Sequence, residues 1–437
     1  MVWNDSCFCQ LTLPDLHTLR KDCEMTPKPD KNPPHFFDHA IEVKAQERLN
    51  GLVMTLLQRA VERKAAPQDR LGLLHVIEDP LLADAVFKTP AVFIKNYSLV
   101  GALGESRFSL NGDRWAQFRD RTQPNYNKAS KPQEIPKIEA VYRNVFDSIS
   151  PQNGTGLETA LAHAALSLFC KALNIALDPD AVTQLYPHIR NHTMLLQFFS
   201  WYGAQEPDIL QRRSEWLDGH FNDIVLADPE STNYVERAIT VPSAREWSHA
   251  ITDLMQNLFA GIETSVATLS WAMQLLGQNA RLQDALRLES ELPFLNRNLT
   301  RSFLWETMRC FPTTPFVVRE LSEDYSGHGR SFAKGEQVII SIFGLHRNPD
   351  FWASPNKFHA ARSEFADGQS NSIAFRPFLS GPRVCGGKRL AEIEMLVALP
   401  EILRRWRIIS DSSDVSYDYA LVMRPRSLNT VRLEALS

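Results

Sequence analysis

The stretch FRPFLSGPRVCGGKRLAEIE, residues 375 to 394, sets one cysteine, Cys385, between glycines and directly ahead of a helix-like run. A helix N-terminus and free backbone N–H groups stabilise negative charge, so this setting favours a thiolate. Gly386 and Gly387 let the backbone come close to the sulfur. A thiolate held this way serves as a metal ligand or a nucleophile. The plainer alternative is a buried cysteine in a helix-entry turn.

Other residues have the types and spacing for chemistry. In AGIETS, Ala260 to Ser265, a glycine interrupts an apolar helix and precedes a carboxylate and a hydroxyl. Gly261 costs about 1 kcal/mol against alanine there, so it needs a reason. A buried Glu263 needs a partner or water. Thr264 can bond a backbone carbonyl and open the helix locally. A kinked core helix is the competing account. Glu306 and Arg309, at i and i+3, share a helix face and can pair. Trp115 and Arg119 stand at i and i+4. His188 and His192 have metal-ligand spacing but no third ligand, so they make no metal site.

These residues need elements to position them. Apolar spacing predicts a helix over 45–64, and GLLHVIEDPLLADAVF reads as a strand, a turn at Asp79-Pro80 and a helix. Residues 246–278 form the longest helical pattern, apolar almost all round, as expected of a helix crossing the centre of the protein. RNLTRSFLWETMRCF is a helix stopped by Pro312 and Pro315, and KGEQVIISIF a strand. KRLAEIEMLVALPEILRRW is a late helix that its proline should bend or end near Leu399. Residues 1–40, polar and proline-rich, read as an irregular arm, and 41–437 as a single catalytic domain, mainly α with small β-sheets.

The bulk numbers narrow the classes. Net charge is −4 over 437 residues, which gives no global pull toward nucleic acid or anionic membrane. No run of apolar residues is long enough for a membrane span, and the start lacks the pattern of an export signal. The six cysteines are too scattered for a disulfide framework, and Cys7-Phe-Cys9 lacks zinc spacing. The expectation is a cytoplasmic monomer.

The pattern of Phe378, Gly381, Arg383, Cys385 and Gly387 resembles the haem-binding signature of the cytochrome P450 superfamily, F-x-x-G-x-R-x-C-x-G, at every fixed position. The match runs on through Leu390, Ala391, Glu392 and Glu394. The resemblance implies the P450 fold, haem b with Cys385 as axial iron ligand, and O2 as co-substrate. A thiolate ligand pushes electron density to iron and favours O–O cleavage. Arg383 would pair with a haem propionate, and Phe378 would pack beside the sulfur. AGIETS resembles the family's oxygen-groove segment. Ala260 and Gly261 would lie at the haem, and Glu263 and Thr264 would deliver protons through water. Trp115 with Arg119 resembles a propionate clamp, and Arg319, placed before a strand, another propionate contact. Glu306 and Arg309 resemble two members of a structural triad completed by Arg362. Ala360 and Ser363 there depart from the family's proline and phenylalanine. HRNPDFW, 346 to 352, matches a structural segment.

By the same resemblance, Val100, Leu103, Phe108, Leu254, Leu258, Phe259, Ala260, Phe316 and Val317 would line a mostly apolar substrate pocket. The chain carries no flavin or iron–sulfur segment, so electrons would come from a ferredoxin or flavodoxin and its reductase. Lys388, Arg389, Arg404, Arg405 and Arg407 would offer such a partner a basic face. The leading expectation is a soluble, bacterial-type monooxygenase of secondary metabolism that hydroxylates an apolar small molecule. Radical coupling of phenolic or heteroaromatic substrates on the same haem is the alternative. A non-catalytic haem- or ligand-binding protein is the third reading, and Glu263 and Thr264 argue against it.

Overall fold

Position along the chain says little here about position in space, because the site is assembled from segments hundreds of residues apart. The computed structural model describes residues 39–63, 70–96, 105–148, 151–173, 175, 179–202, 207–227, 244–368, 370, 372–410 and 416–436. Nearly all of the expected arm, with Cys7, Cys9 and Cys23, lies outside these residues, as do Val100 and Leu103.

The first half of the chain runs α1 (His39–Glu62), β1 (Arg70–Leu71), β2 (Leu74–Ile77), α2 (Pro80–Lys88), β3 (Phe93–Ile94), α3 (Gly112–Ala129), α4 (Ile135–Ser148), α5 (Gly154–Leu173), α6 (Pro179–Tyr202) and α7 (Pro207–Ala227). Then come α8 (Ala244–Leu276), α9 (Ala280–Ser290), α10 (Asn298–Cys310), β4 (Phe316–Leu321), β5 (Tyr325–Gly327), β6 (Arg330–Phe332), β7 (Gln337–Ser341) and α11 (Ile342–His346). The chain ends with α12 (Lys388–Arg405), β8 (Trp406–Ser410), β9 (Tyr417–Ala420), β10 (Val422–Pro425) and β11 (Val431–Ala435). Helices dominate, and the sheets are small.

The 33-residue α8 is the longest helix among the described residues. It packs against α5, α7, α10, α12 and β10, which accounts for its apolar residues on several sides. Leu254, Leu258, Ile262 and Val266 from α8 share one core with Leu161 and Phe169 of α5 and Leu396 of α12. Gly261 has its reason in this packing. A Cβ there would lie 2.3 Å from the Phe169 ring, so the glycine permits a close approach of α5 to α8.

A five-stranded sheet has the order β1-β2-β7-β4-β3, with β2 parallel to β7 and the other pairs antiparallel. Arg319 sits within β4 rather than before a strand. Helix α2 starts at the expected turn: the Asp79 carboxylate accepts the Leu82 amide at 2.7 Å, and Pro80 follows where no N–H is needed.

The proline in the last long helix does not end it. Helix α12 continues through Pro400 to Arg405. Proline frees the carbonyl four residues back, here that of Leu396. Arg297 Nη1 donates to this oxygen at 3.3 Å, so the freed acceptor is satisfied by a side chain from another segment.

Candidate active site

The loop ahead of α12 is shaped by backbone. The Cys385 amide donates to Phe378 O at 3.0 Å, closing the loop on itself. The backbone N–H groups of Gly387 and Lys388 point at the sulfur and favour its charged form, as does the charge of Arg107. Burial outweighs these effects and holds the Cys385 thiol above its ordinary value. Yet by surface area this cysteine is exposed, unlike Cys170 and Cys310. The sulfur is thus surrounded by protein atoms yet keeps accessible surface. Burial pushes the thiols of Cys170 and Cys310 up to about 12 and about 11, so neither is disposed to ionise.

Gly381 makes the loop's sharpest demand. Its φ is +69°, and a Cβ there would lie 2.2 Å from Phe87 O at the end of α2. Gly381→Ala will therefore cost about 1–3 kcal/mol in chemical denaturation, from backbone strain alone. Gly387→Ala, whose Cβ would meet nothing within 4 Å, will cost much less.

Cations converge beside the loop. The Arg119 and Arg383 guanidinium groups lie 5.4 Å and 4.8 Å from the centre of the Trp115 ring. Arg119 donates to Pro382 O at 3.1 Å, and Arg383 to Leu110 O and Asn111 Oδ1 at 3.1 Å and 3.0 Å. Lys95, just past β3, donates to Arg107 O at 2.7 Å. Burial, then the charges of Arg383, Arg319 and Arg107, hold the Lys95 ammonium well below lysine's ordinary value. Lys95 and Arg107 sit in an irregular segment without periodicity or motif, so sequence reasoning missed both.

On α8, Ala260 and Thr264 retain accessible surface while Ile262, Glu263 and Ser265 are buried. The Thr264 hydroxyl donates to Ala260 O at 2.8 Å, and the helix remains continuous there. Glu263, about 100° round the helix from Thr264, turns toward β10 instead. Its carboxylate is paired with Arg424, which also binds Glu158 at 2.9 Å. Tyr186 lies beside it, its hydroxyl pushed well up by burial and then by the Glu263 charge.

Behind the site, Glu306 accepts from both Arg309 (2.7 and 2.8 Å) and Arg362 (2.8 and 2.9 Å). All three side chains are buried. Arg309 also reaches the carbonyls of His346 and Pro355. His346 in turn accepts the Arg376 amide at 2.9 Å on Nε2 and faces Arg309 O through Nδ1, tying the triad to the start of the thiolate loop. Ala360 and Ser363 do not disturb this arrangement, since Arg362 reaches Glu306 regardless.

The cytochrome P450 family profile matches residues 245–431, which span α8, the triad and the thiolate loop. This stretch is of the cytochrome P450 superfamily. Rat cytochrome P450 4X1 is 30% identical over 243 residues, 50% of this chain and 46% of that protein. Human cytochrome P450 4V2 is 30% identical over 193 residues, 40% of this chain and 37% of that protein. The aligned part thus spans less than half the length of the curated relatives it matches. Among solved structures, a retinoic acid-bound cyanobacterial CYP120A1 superposes with a TM-score of 0.68 at 20% identity, covering 83% of this chain and 89% of the other. A zebra fish cytochrome P450 with abiraterone gives a TM-score of 0.68 at 20% identity, with coverage of 88% and 100%.

P450s carry haem on a cysteine thiolate, and the residues of this chain fit that group. Lys95, Arg107 and Arg319 crowd together with Arg383, and among the described residues the first three form no ion pair with a carboxylate. A buried group of like charges is costly without a counter-ion, and the two carboxylates of a haem would supply it.

Of the expected pocket residues, Leu258 is 2% and Phe316 3% exposed, in two separate cores, with Phe316 against Tyr419. Leu254 is likewise buried, and Phe259 packs on Tyr186. Phe108 and Val317 keep partial exposure. The basic face also breaks up. Arg404 and Arg405 pair with Glu401, and Arg407 with Asp284, at the end of α12 remote from Cys385. Lys388 and Arg389 alone stand exposed beside the sulfur's loop. His188 packs edge-on against Trp216, and burial takes His192 down to about 3; no metal cluster forms among the described residues. No described helix is long and apolar enough to cross a membrane.

Proposed function

We propose that this chain is a haem-thiolate monooxygenase that hydroxylates a largely apolar small molecule with electrons from separate redox proteins. The observation that carries it is the Cys385 loop itself, with backbone N–H groups aimed at its sulfur and a cluster of cations beside it, while Ala260 and Thr264 of α8 keep accessible surface. Cys385 Sγ would hold the iron. Arg383, Arg119, Arg319 and Lys95, with Trp115, would hold the carboxylates, and Phe378 would pack beside the sulfur.

When bound, the haem supplies the reductive activation of O2 and the oxidation of a C–H bond. The net reaction takes substrate R–H, O2, two electrons and two protons to R–OH and water. The chain must therefore bring protons in while keeping bulk water out. Thr264, its hydroxyl fixed on Ala260 O, presents oxygen lone pairs to water at its accessible surface. Glu263, reached from the surface through Arg424 and Glu158, is the acid nearest to Thr264 in the chain. Lys388 and Arg389 would meet an acidic ferredoxin or flavodoxin.

Thr264→Ala will keep its haem and continue to consume electrons, but product per electron pair will fall roughly tenfold to a hundredfold, the scale of losing a hydrogen bond worth about 1–3 kcal/mol. Matched measurements of electron consumption, peroxide and product check this. The proposal itself is tested by the spectrum of the reduced carbon monoxide complex, followed by turnover in isotopic O2. A far red-shifted Soret band and one labelled oxygen in the product support it. Unlabelled dimeric product supports radical coupling instead, and a thiolate band with no productive O2 use supports a binding protein.

A further inference from the structure

Arg107 stands out among the cations near Cys385. It is 8% exposed and forms no ion pair with a carboxylate among the described residues. Both ends of its peptide are held: its N–H donates to Asp253 Oδ1 at 2.9 Å, and its carbonyl accepts Lys95 Nζ at 2.7 Å. The side chain is fixed as well. Nη1 donates to Thr122 Oγ1 at 2.9 Å, and the guanidinium lies 6.0 Å from the centre of the Tyr126 ring.

This clamp places the positive charge against the residue next to the sulfur. A Cβ on Gly386 would lie 2.5 Å from Arg107 Nη2, 3.0 Å from Nη1 and 2.8 Å from Gln123 Oε1. Gly386 is thus the gap that admits the guanidinium, while Gln123 Nε2 holds the Gly386 carbonyl at 3.0 Å. Asp253, which accepts the Arg107 amide, is pushed up to about 6 by burial and offers a weakened counter-charge.

We propose that Arg107 is a positioning and charge-tuning residue for the axial thiolate: its buried guanidinium, admitted by Gly386 and held by Thr122, stabilises negative charge on Cys385 Sγ and thereby raises the reduction potential of the bound iron. The inference rests on Cys385 being the iron ligand. The sign follows from electrostatics. Reduction adds one negative charge to the iron–thiolate unit, and a fixed cation a few ångströms away in a poorly screened setting favours the more negative state. The same cation draws electron density back onto sulfur and weakens its donation to iron.

The test is redox titration of the haem-loaded protein, with the reduced carbon monoxide spectrum recorded for each variant. Arg107→Met, which removes charge and keeps length, will shift the ferric–ferrous equilibrium toward ferric by about tenfold or more, ~59 mV or more for one electron. Arg107→Lys will restore most of that shift. Thr122→Val, which frees the guanidinium without removing it, will move the potential the same way by less. A potential unchanged in Arg107→Met, or lowered equally by Arg107→Lys, overturns the inference. If Arg107→Met fails to hold haem, Thr122→Val decides, and an unmoved potential there overturns it. A wild-type protein without the thiolate band would instead bring down the assignment of Cys385, a separate failure.

Discussion

A Cys385→Ala protein will fold, and its reduced carbon monoxide complex will lack the far red-shifted Soret band of the wild type. Product formation will fall on the order of 10³-fold or more, as expected when a group on which the chemistry depends is removed. The fold should survive because the loop is held by backbone. The bond from the residue-385 amide to Phe378 O at 3.0 Å and that from Lys388 N to residue 385 O at 3.4 Å do not need the thiol. The side chain keeps accessible surface and belongs to no buried core cluster, so its loss opens no cavity of the kind that costs several kcal/mol. Some haem should still bind, since Arg119, Arg319, Arg383 and Lys95 remain. That is why the spectrum, more than haem content, is the deciding measurement. A Cys385→Ala protein that keeps the red-shifted band would show that another group ligates the iron. The comparison with Cys170→Ala and Cys310→Ala is informative: both thiols are buried and raised by burial, and neither change should move the band.

The thiolate loop was legible because its chemistry is local. Glycine, arginine and cysteine must follow one another within ten positions to fold around one sulfur, so spacing carries the signal. The Glu306–Arg309 pair was legible for a similar reason, being one turn apart on α10, and Arg362 was reached by resemblance. What escaped is long-range. Lys95 and Arg107 follow β3 in a stretch of sequence with no period to read, yet Lys95 comes close enough to Arg107 and Arg383 to feel their charge. Arg424, on a late strand, meets Glu263 only because β10 crosses α8.

Other differences have the same origin. Leu258 was placed in the pocket by resemblance, and a helix turns about 100° per residue, so this residue of α8 shares a core with α5 while Ala260 keeps accessible surface. Phe316 and Val317 alternate along β4, so they serve different faces, and the buried one belongs to the core. The arginines near residue 405 looked like one basic surface with Lys388. Eighteen residues of helix span about 27 Å, which separates them, and acids on neighbouring elements neutralise the far group. Pro400 looked like a helix end because the sequence could not show Arg297 waiting at the freed carbonyl. In each case the local rule held, and a partner distant in sequence decided the outcome.

Glu306→Gln will destabilise the protein by about 3–5 kcal/mol, the cost of leaving buried charge uncompensated. A domain has only about 5–15 kcal/mol to lose, so much of this variant should be found insoluble at 37 °C, and what is soluble should unfold at markedly lower urea. The argument rests on the geometry of one carboxylate. Glu306 is fully buried and accepts four hydrogen bonds from two guanidinium groups, plus the His359 amide at 2.9 Å. A glutamine has nearly the same shape, but it carries no charge, and its NH2 would face guanidinium donors with no acceptor between them. Two buried cations would then lie close together, both over the Trp352 ring, with no anion between them. Arg309→Lys and Arg362→Lys test the same point from the other side, since an ammonium cannot make the paired, planar contact each arginine makes. Either should cost less than Glu306→Gln, because charge balance survives. A double variant should cost less than the sum of its parts, because the three groups act as one network. The hydrogen bonds of Glu306 run to Arg309, Arg362, His359 and the Cys310 thiol, and none of these is Cys385. Whatever fraction of Glu306→Gln folds with haem should therefore show the wild-type carbon monoxide spectrum, and an altered band in that fraction would move the triad from the scaffold into the site.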